Sequence, residues 1–329
     1  MRFLDIIIPQ YGETAQTVET ALNSIAMQKD VDFNEIGVFL INDHSKNQIK
    51  STTLKKFPQL NITYLINDKN MGPGLTRQRG IDLSDAQYVT FLDADDVFYD
   101  ETVLHDVFYC LQQSNFPNVL FTNIEWEYID YENTPKKVLT PKDIICLHGL
   151  FVKPKWLEEK KIRFHPNLFY YEDSFFTTSI AINKDSYSNS KITYIWKCNR
   201  NSMTKKKKYE VIVTHFDDFV NSGLYLYEYA KNNNLESGEM YFRKTLIEAV
   251  LSLESNFFDY DELKQEKDRC ERLLYSLICK HLSIMNDESS ISLLTKQVID
   301  YNEKHNYYYE SYMNFYEFMD YMKKKTHER

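Results

Sequence analysis

Three carboxylates fall within four positions at Asp93, Asp95 and Asp96, directly after the apolar run YVTFL. Like charges this close repel, so such a cluster persists only where solvent, a cation or a positively charged partner offsets the repulsion. One reading is a polar turn in which Asp96 or Asp100 caps a helix over 101–113, because aspartate is a preferred N-cap residue. A cap uses one carboxylate, not three, and the other reading is a metal site. A second acidic pair, Glu172-Asp173, follows the aromatic run NLFYY at the predicted start of a helix, where the dipole favours acid whatever its function.

The elements that position these groups are legible in the first third of the chain. FLDIIIP, IGVFLIND, ITYLIND and YVTFLDAD read as strands rich in β-branched residues and nearly apolar throughout, as strands covered on both faces are. Helix-length amphipathic segments at 13–28, 46–57 and 73–83 lie between them. This alternation predicts an α/β fold built on a mostly parallel, doubly wound sheet. Ligands bind beyond the carboxyl ends of such strands, where Pro9, Asp43 and Asp93 fall. Past residue 119 come a further strand, NVLFTNIEWEYI, a polar turn and the segment 147–181. From about residue 209 apolar residues recur at helical spacing without strand signals, which predicts a helical C-terminal domain. The tyrosine-rich tail YNEKHNYYYESYMNFYEFMDYMKKK reads as an amphipathic helix whose aromatics pack on the protein or meet a sugar or partner.

Bulk composition narrows the class. A chain of 329 residues holds about two domains at about 150 residues each, and 43% apolar and 15% aromatic content exclude a disordered or collagen-like chain. Eight glycines and eight prolines are few for an all-β chain rich in tight turns. A net charge of −9 gives no general pull toward nucleic acid or an anionic membrane. The five cysteines, Cys110, Cys146, Cys198, Cys270 and Cys279, are widely spaced and form no CxxC pair, so free thiols in a reducing compartment are expected and a zinc site is not. The apolar run in MRFLDIIIPQYGE is too short for a signal peptide, and no 18 uninterrupted apolar residues occur, so a cytoplasmic protein is expected.

In order along the chain, DIIIPQYGE, LINDHS, NMGPGLTRQRGI, FLDADD, LHGLFVKPKWL, FYYEDSFF and NRNSMT resemble the motifs of the family-two glycosyltransferases with the GT-A fold. The resemblance spans residues 3–208 and implies a GT-A catalytic domain over 1–208; the helical stretch 209–329 carries none of these motifs, and its aromatic faces are expected to serve acceptor binding or oligomerisation. It implies a nucleotide-sugar donor and a cation, Mn2+ or Mg2+, with Asp95 as direct ligand and Asp93 reaching the ribose or the metal shell. Asp96 then orients its neighbours or caps the helix. Asp43 matches the residue that reads the base edge, and Pro9 and Tyr11 match the loop against the base. Gln10, Gly12 and Asn42 depart from the residues common in the family, which bears on base identity.

Arg77 matches the family's arginine in a helix whose N-terminus faces the diphosphate, whereas Arg79, two residues on, points elsewhere and reads as structural. Arg200, Ser202 and Thr204 match the loop that closes over the diphosphate. The four lysines at 205–208 beside it are a solvated face or an attraction for an anionic acceptor. Asp173 matches the general base that takes the acceptor proton in a single inverting displacement, Glu172 its positioning neighbour, and His148 the segment beside the acceptor.

The function so implied is transfer of a hexosyl or N-acetylhexosaminyl group from a UDP-sugar to a hydroxyl of a glycan or anionic glycopolymer. Two alternatives stand beside it. A nucleotidyltransferase shares the broad fold but wants a basic, glycine-rich loop after the first strand, and PQYGETAQT carries no Lys or Arg. A non-catalytic sugar-nucleotide-binding module would not require both acidic pairs.

Overall fold

The computed structural model describes residues 1–129, 134–139, 147–198, 214–253, 261–285, 288–304 and 315–327. The chain forms two compact units, Met1–Arg200 and Asn201–Arg329. The domain boundary expected after Lys208 lies outside the described residues.

The first unit is built on a sheet of nine strands: β1 (Leu4–Gln10), β2 (Ile36–Asn42), β3 (Asn61–Ile66), β4 (Tyr88–Phe91), β5 (Val97–Phe98), β6 (Val119–Ile129), β7 (Pro135–Leu139), β8 (Leu150–Val152) and β9 (Tyr187–Trp196). Their order is β3-β2-β1-β4-β8-β6-β9-β5, with β7 paired to β6. The strands β3, β2, β1 and β4 are parallel, as the alternation of elements requires. Beyond β4 the sheet becomes mixed: β8 is antiparallel to β4 and to β6, while β6 and β9 run parallel. Two antiparallel steps return β6 to the direction of β4, so both end on the same edge. β1 and β2 are buried along their whole length or nearly so, but β3, also expected to be covered on both faces, is the sheet edge and alternates exposed with half-buried residues.

Helix α1 (Ala15–Ala26) starts where the Thr14 side chain accepts the Thr17 N–H, and it buries Val18, Ala21, Leu22 and Ile25. These pack with Leu4, Ile6 and Ile8 of β1 and with Leu104, Val107 and Leu111 of α4 (Val103–Gln113). Phe91, Phe164 and Phe176 form a second apolar cluster, in which Phe164 and Phe176 stack at 4.1 Å. Helix α3 (Gly72–Leu83) follows the predicted segment closely, with Pro73 in its first turn. The helix predicted over 46–57 shrinks to α2 (Ser51–Leu54). Its first residues instead form a loop closed by Ser45 N–H to Asn42 Oδ1 and Asn47 N–H to Ser45 Oγ. Helix α5 (Pro154–Glu159) and α6 (Glu172–Ala181) complete the unit among the described residues.

The second unit is helical where described: α7 (Phe216–Asn232), α8 (Gly238–Leu253), α9 (Asp261–Lys280), α10 (Glu288–Lys304) and α11 (Phe315–His327). Arg269 of α9 pairs with Asp217 of α7 at 2.7 Å, and Lys325 of α11 pairs with Asp268 and Glu271 at 2.6 and 2.5 Å. The tail helix turns Phe315, Phe318, Met319 and Met322 inward and leaves Tyr316 and Tyr321 exposed. No described helix is long and apolar enough to cross a membrane.

Candidate active site

The motif residues converge at the carboxyl edge of β1, β2 and β4. Pro9 pairs with Ile41 inside the β1–β2 ladder, and Tyr11, just past the strand, is 59% exposed. Asp43 follows β2 and is buried, with both carboxylate oxygens engaged. Oδ1 accepts the Met71 N–H at 2.9 Å and the Asn67 Nδ2 at 2.8 Å, and Oδ2 accepts the Gly72 N–H at 2.8 Å. Asp43 therefore fixes the start of α3, where Gly72 takes φ +83°, a conformation open to glycine at little cost. Arg79 donates to the Ile66 carbonyl and to Asn67 Oδ1, the structural arginine that its spacing predicts.

Arg77 is buried, and its guanidinium is turned to two carboxylates: Nη2 to Asp93 Oδ1 at 2.6 Å and Nη1 to Glu172 Oε1 at 3.3 Å. Burial opposes its charge, but Asp93 and Glu172 more than restore it and raise its pKa. The second Asp93 oxygen meets His148 Nε2 at 3.1 Å. Burial alone would raise the Asp93 carboxyl; the Arg77 charge and the His148 hydrogen bond hold it well below the usual carboxylate range. Burial lowers the His148 imidazole, but its bond to Asp93 more than offsets this and leaves a net rise.

Asp96 does not cap α4. Its Oδ2 accepts the Tyr194 hydroxyl at 2.6 Å and its Oδ1 the Lys197 N–H at 2.7 Å, so it ties the acidic turn to β9. Tyr194 in turn accepts the Asp93 N–H at 3.1 Å. Asp100 instead accepts the Thr102 N–H just ahead of α4. Burial, then the Asp93 charge, push the Asp96 carboxyl up. Donor atoms of Asp93, Asp96 and His148 lie within 4.8 Å of one another. Two carboxylates and an imidazole are ligands of the kind that hold a divalent cation.

Glu172 and Asp173 open α6 as the sequence predicts, and the turn before them passes through Tyr171 at φ +59°, left-handed for a residue with a side chain. Glu172 is buried against Gly74, where an added Cβ would lie 2.5 Å from its Cγ. Burial, then the Asp173 charge, push its carboxyl up despite Arg77. Asp173 is half-buried and accepts the Ser174 N–H at 2.7 Å. Arg200, Ser202 and Thr204 lie outside the described residues.

Two contributors were not singled out from sequence. Glu13 accepts the Tyr11 N–H, and burial, with the charges of Asp95 and Asp93, pushes its carboxyl up to about 7. Its place in the quoted stretch QYGE was the available signal. Tyr194 carries no local signal, because its hydroxyl meets the acidic turn only through the β5–β9 pairing.

The profile of the family described as Glycosyl transferase family 2 matches residues 5–187. The chain is 26% identical over 156 residues to the uncharacterized glycosyltransferase YibD of Escherichia coli (strain K12), a match that takes in 47% of this chain and 42% of that protein. It thus spans under half the length of this curated relative. The fold matches S. aureus TarS 1-349 in complex with UDP-GlcNAc over 94% of this chain and 93% of the other, with a TM-score of 0.57 and 18% identity. It also matches the mannosyltransferase PcManGT from Pyrobaculum calidifontis in complex with GDP-Man and Mn2+, over 91% and 86% of the two chains, at TM-score 0.54 and 13% identity. These likenesses establish the GT-A fold. Since the family profile takes in more than half of its residues and reaches across both acidic motifs, the chain belongs to glycosyl transferase family 2.

Proposed function

We propose that the chain transfers a hexosyl or N-acetylhexosaminyl group from a UDP-sugar to a hydroxyl of a glycan or glycopolymer, with inversion at the anomeric carbon. The observation that carries this reading is the single guanidinium of Arg77 joined to both Asp93 and Glu172, which sets the two acidic motifs of the family on one site. The bound UDP-GlcNAc of TarS supports the choice of donor class.

In this reading Asp173, the more accessible of its pair, takes the proton of the acceptor hydroxyl as that oxygen attacks the anomeric carbon. The bond to the diphosphate breaks, and UDP leaves with the electron pair. Glu172 and Arg77 hold the base and the acidic turn in register. Asp95 and Asp93 would hold Mn2+ or Mg2+, which would offset the charge of the leaving diphosphate when bound; Asp96 and His148 bring further ligand atoms within 4.8 Å of those of Asp93. Pro9, Tyr11 and Asp43 border the base. The helical unit serves acceptor binding or assembly.

The test is incubation of the full chain with UDP-GlcNAc, UDP-glucose and UDP-galactose plus Mn2+, with and without a glycan acceptor. Release of UDP and a product of inverted configuration are expected. Release of pyrophosphate, or no turnover with any sugar nucleotide, would overturn the reading.

A further inference from the structure

A row of aromatic rings leaves the acidic turn on the side away from the nucleotide motifs. His148, bonded to Asp93, lies 5.4 Å from the Trp196 ring; Trp196 stacks on Trp126 at 5.4 Å and 19°; Trp126 stands 6.5 Å from Tyr128. Trp126 and Tyr128 are two residues apart on β6 and therefore share one face of the strand. Both are 38% exposed, and Val138, which pairs with Trp126 across the β6–β7 ribbon, is exposed beside them. Glu125, Glu127 and Lys137 occupy the alternate positions, where Lys137 pairs with both acids. One face of the ribbon thus carries Glu125, Glu127 and Lys137 with Leu139, and the other carries Trp126, Tyr128 and Val138, with Lys136 opposite Tyr128.

Sheet order decides which ligand this face can meet. β6 ends on the same edge as β4, and its last residues run on past the pairing with β8, which stops at Phe121. Pro9 lies at the end of β1, and Tyr11 and Asp43 follow β1 and β2, on one side of β4; the ribbon lies on the other side, beyond β8. What occupies it meets the site across Asp93 from the nucleotide, which is the place of the acceptor.

We propose that the β6–β7 ribbon is a saccharide-binding track, on which the acceptor chain lays pyranose faces against Trp126 and Tyr128 while its terminal hydroxyl reaches the site beside His148. The C–H bonds on a pyranose face carry partial positive charge and suit the negative face of an aromatic ring, and the Trp126 and Tyr128 rings stand 6.5 Å apart along the strand. A contiguous exposed aromatic face continuous with a site is the kind of patch that marks ligand binding. The identity of the occupant as acceptor rests on the glycosyltransferase reading; the capacity to bind saccharide does not.

The experiment uses the full chain and its own fluorescence. Of the three tryptophans, Trp156 is buried, so a change on titration reports Trp126 and Trp196. Chitotetraose, maltotetraose and mannotetraose are the probes, with UDP plus Mn2+ titrated separately. At least one tetrasaccharide is expected to change the emission saturably. Its affinity should fall about tenfold or more in the Trp126→Ala, Tyr128→Ala double variant, hold within about threefold in Trp126→Phe, and leave UDP affinity unchanged. Tyr128→Ala alone, at the outer end of the row, should show a partial loss if the double variant folds poorly. No binding of any tetrasaccharide, equal binding by the variants, or a loss of UDP affinity instead would overturn the proposal. If the tetrasaccharide binds at Trp126 but no sugar nucleotide is turned over, the glycosyltransferase reading fails and the saccharide track stands.

Discussion

Arg77 and Glu172, 95 residues apart in the chain, meet at 3.3 Å through Nη1 and Oε1 inside the first unit, with Arg77 only 6% exposed and Glu172 9%. The same guanidinium holds Asp93. Removing one partner of a buried charge network leaves the others unpaired, which costs about 3 kcal/mol or more. Arg77→Ala should lower unfolding free energy by about that amount in urea titration, and Arg77→Lys by less, since an ammonium keeps the positive charge although it cannot fork between two carboxylates. A loss below about 1 kcal/mol for Arg77→Ala would show that the bridge does not hold the site together.

Asp95→Ala should abolish transfer and remove the Mn2+-dependent part of UDP binding, as measured by calorimetry with and without the cation. Wild-type turnover by this variant without added metal would remove Asp95 from the metal site.

Asp173→Asn should lower turnover by about 10² to 10⁴ while UDP-sugar affinity stays near wild type, the pattern of a lost general base. An equal fall in donor affinity would place Asp173 in the donor site.

Gly74→Ala offers a test by sign. In an exposed helix position the substitution would stabilise by about 1 kcal/mol. Here the new Cβ would lie 2.5 Å from Glu172 Cγ and 3.0 Å from Phe164 Cδ1. Overpacking costs about 1–3 kcal/mol, so a net loss of stability together with reduced turnover is expected. A rise in the thermal midpoint would mean that Glu172 does not seat against α3.

Cys270 is buried, and burial pushes its thiol up to about 12, with Glu266 and Asp217 adding to the rise against Arg269. Only the thiolate is nucleophilic. Iodoacetamide at pH 8 should label the exposed Cys279 in the native chain and reach Cys270 only after denaturation, as read by peptide mass mapping. Equal labelling rates in the native protein would contradict the packing of α9.

The features legible from residue order alone are local. The apolar runs at β1, β2 and β4, Pro73 at the start of α3 and the acidic opening of α6 are each set by a few neighbouring residues, so period and residue type were enough to place them. The helix expected over 46–57 fell to four residues because Asn42, Ser45 and Asn47 offered the backbone other partners. The edge position of β3, the turn of Asp96 away from α4 toward Tyr194, the burial of Asp43 under α3, and the line from Arg77 through Asp93 and His148 to Trp126 were decided only in the tertiary structure. Each depends on which strands become neighbours, and that order is fixed by how the whole sheet buries its two faces, not by the spacing of residues along the chain.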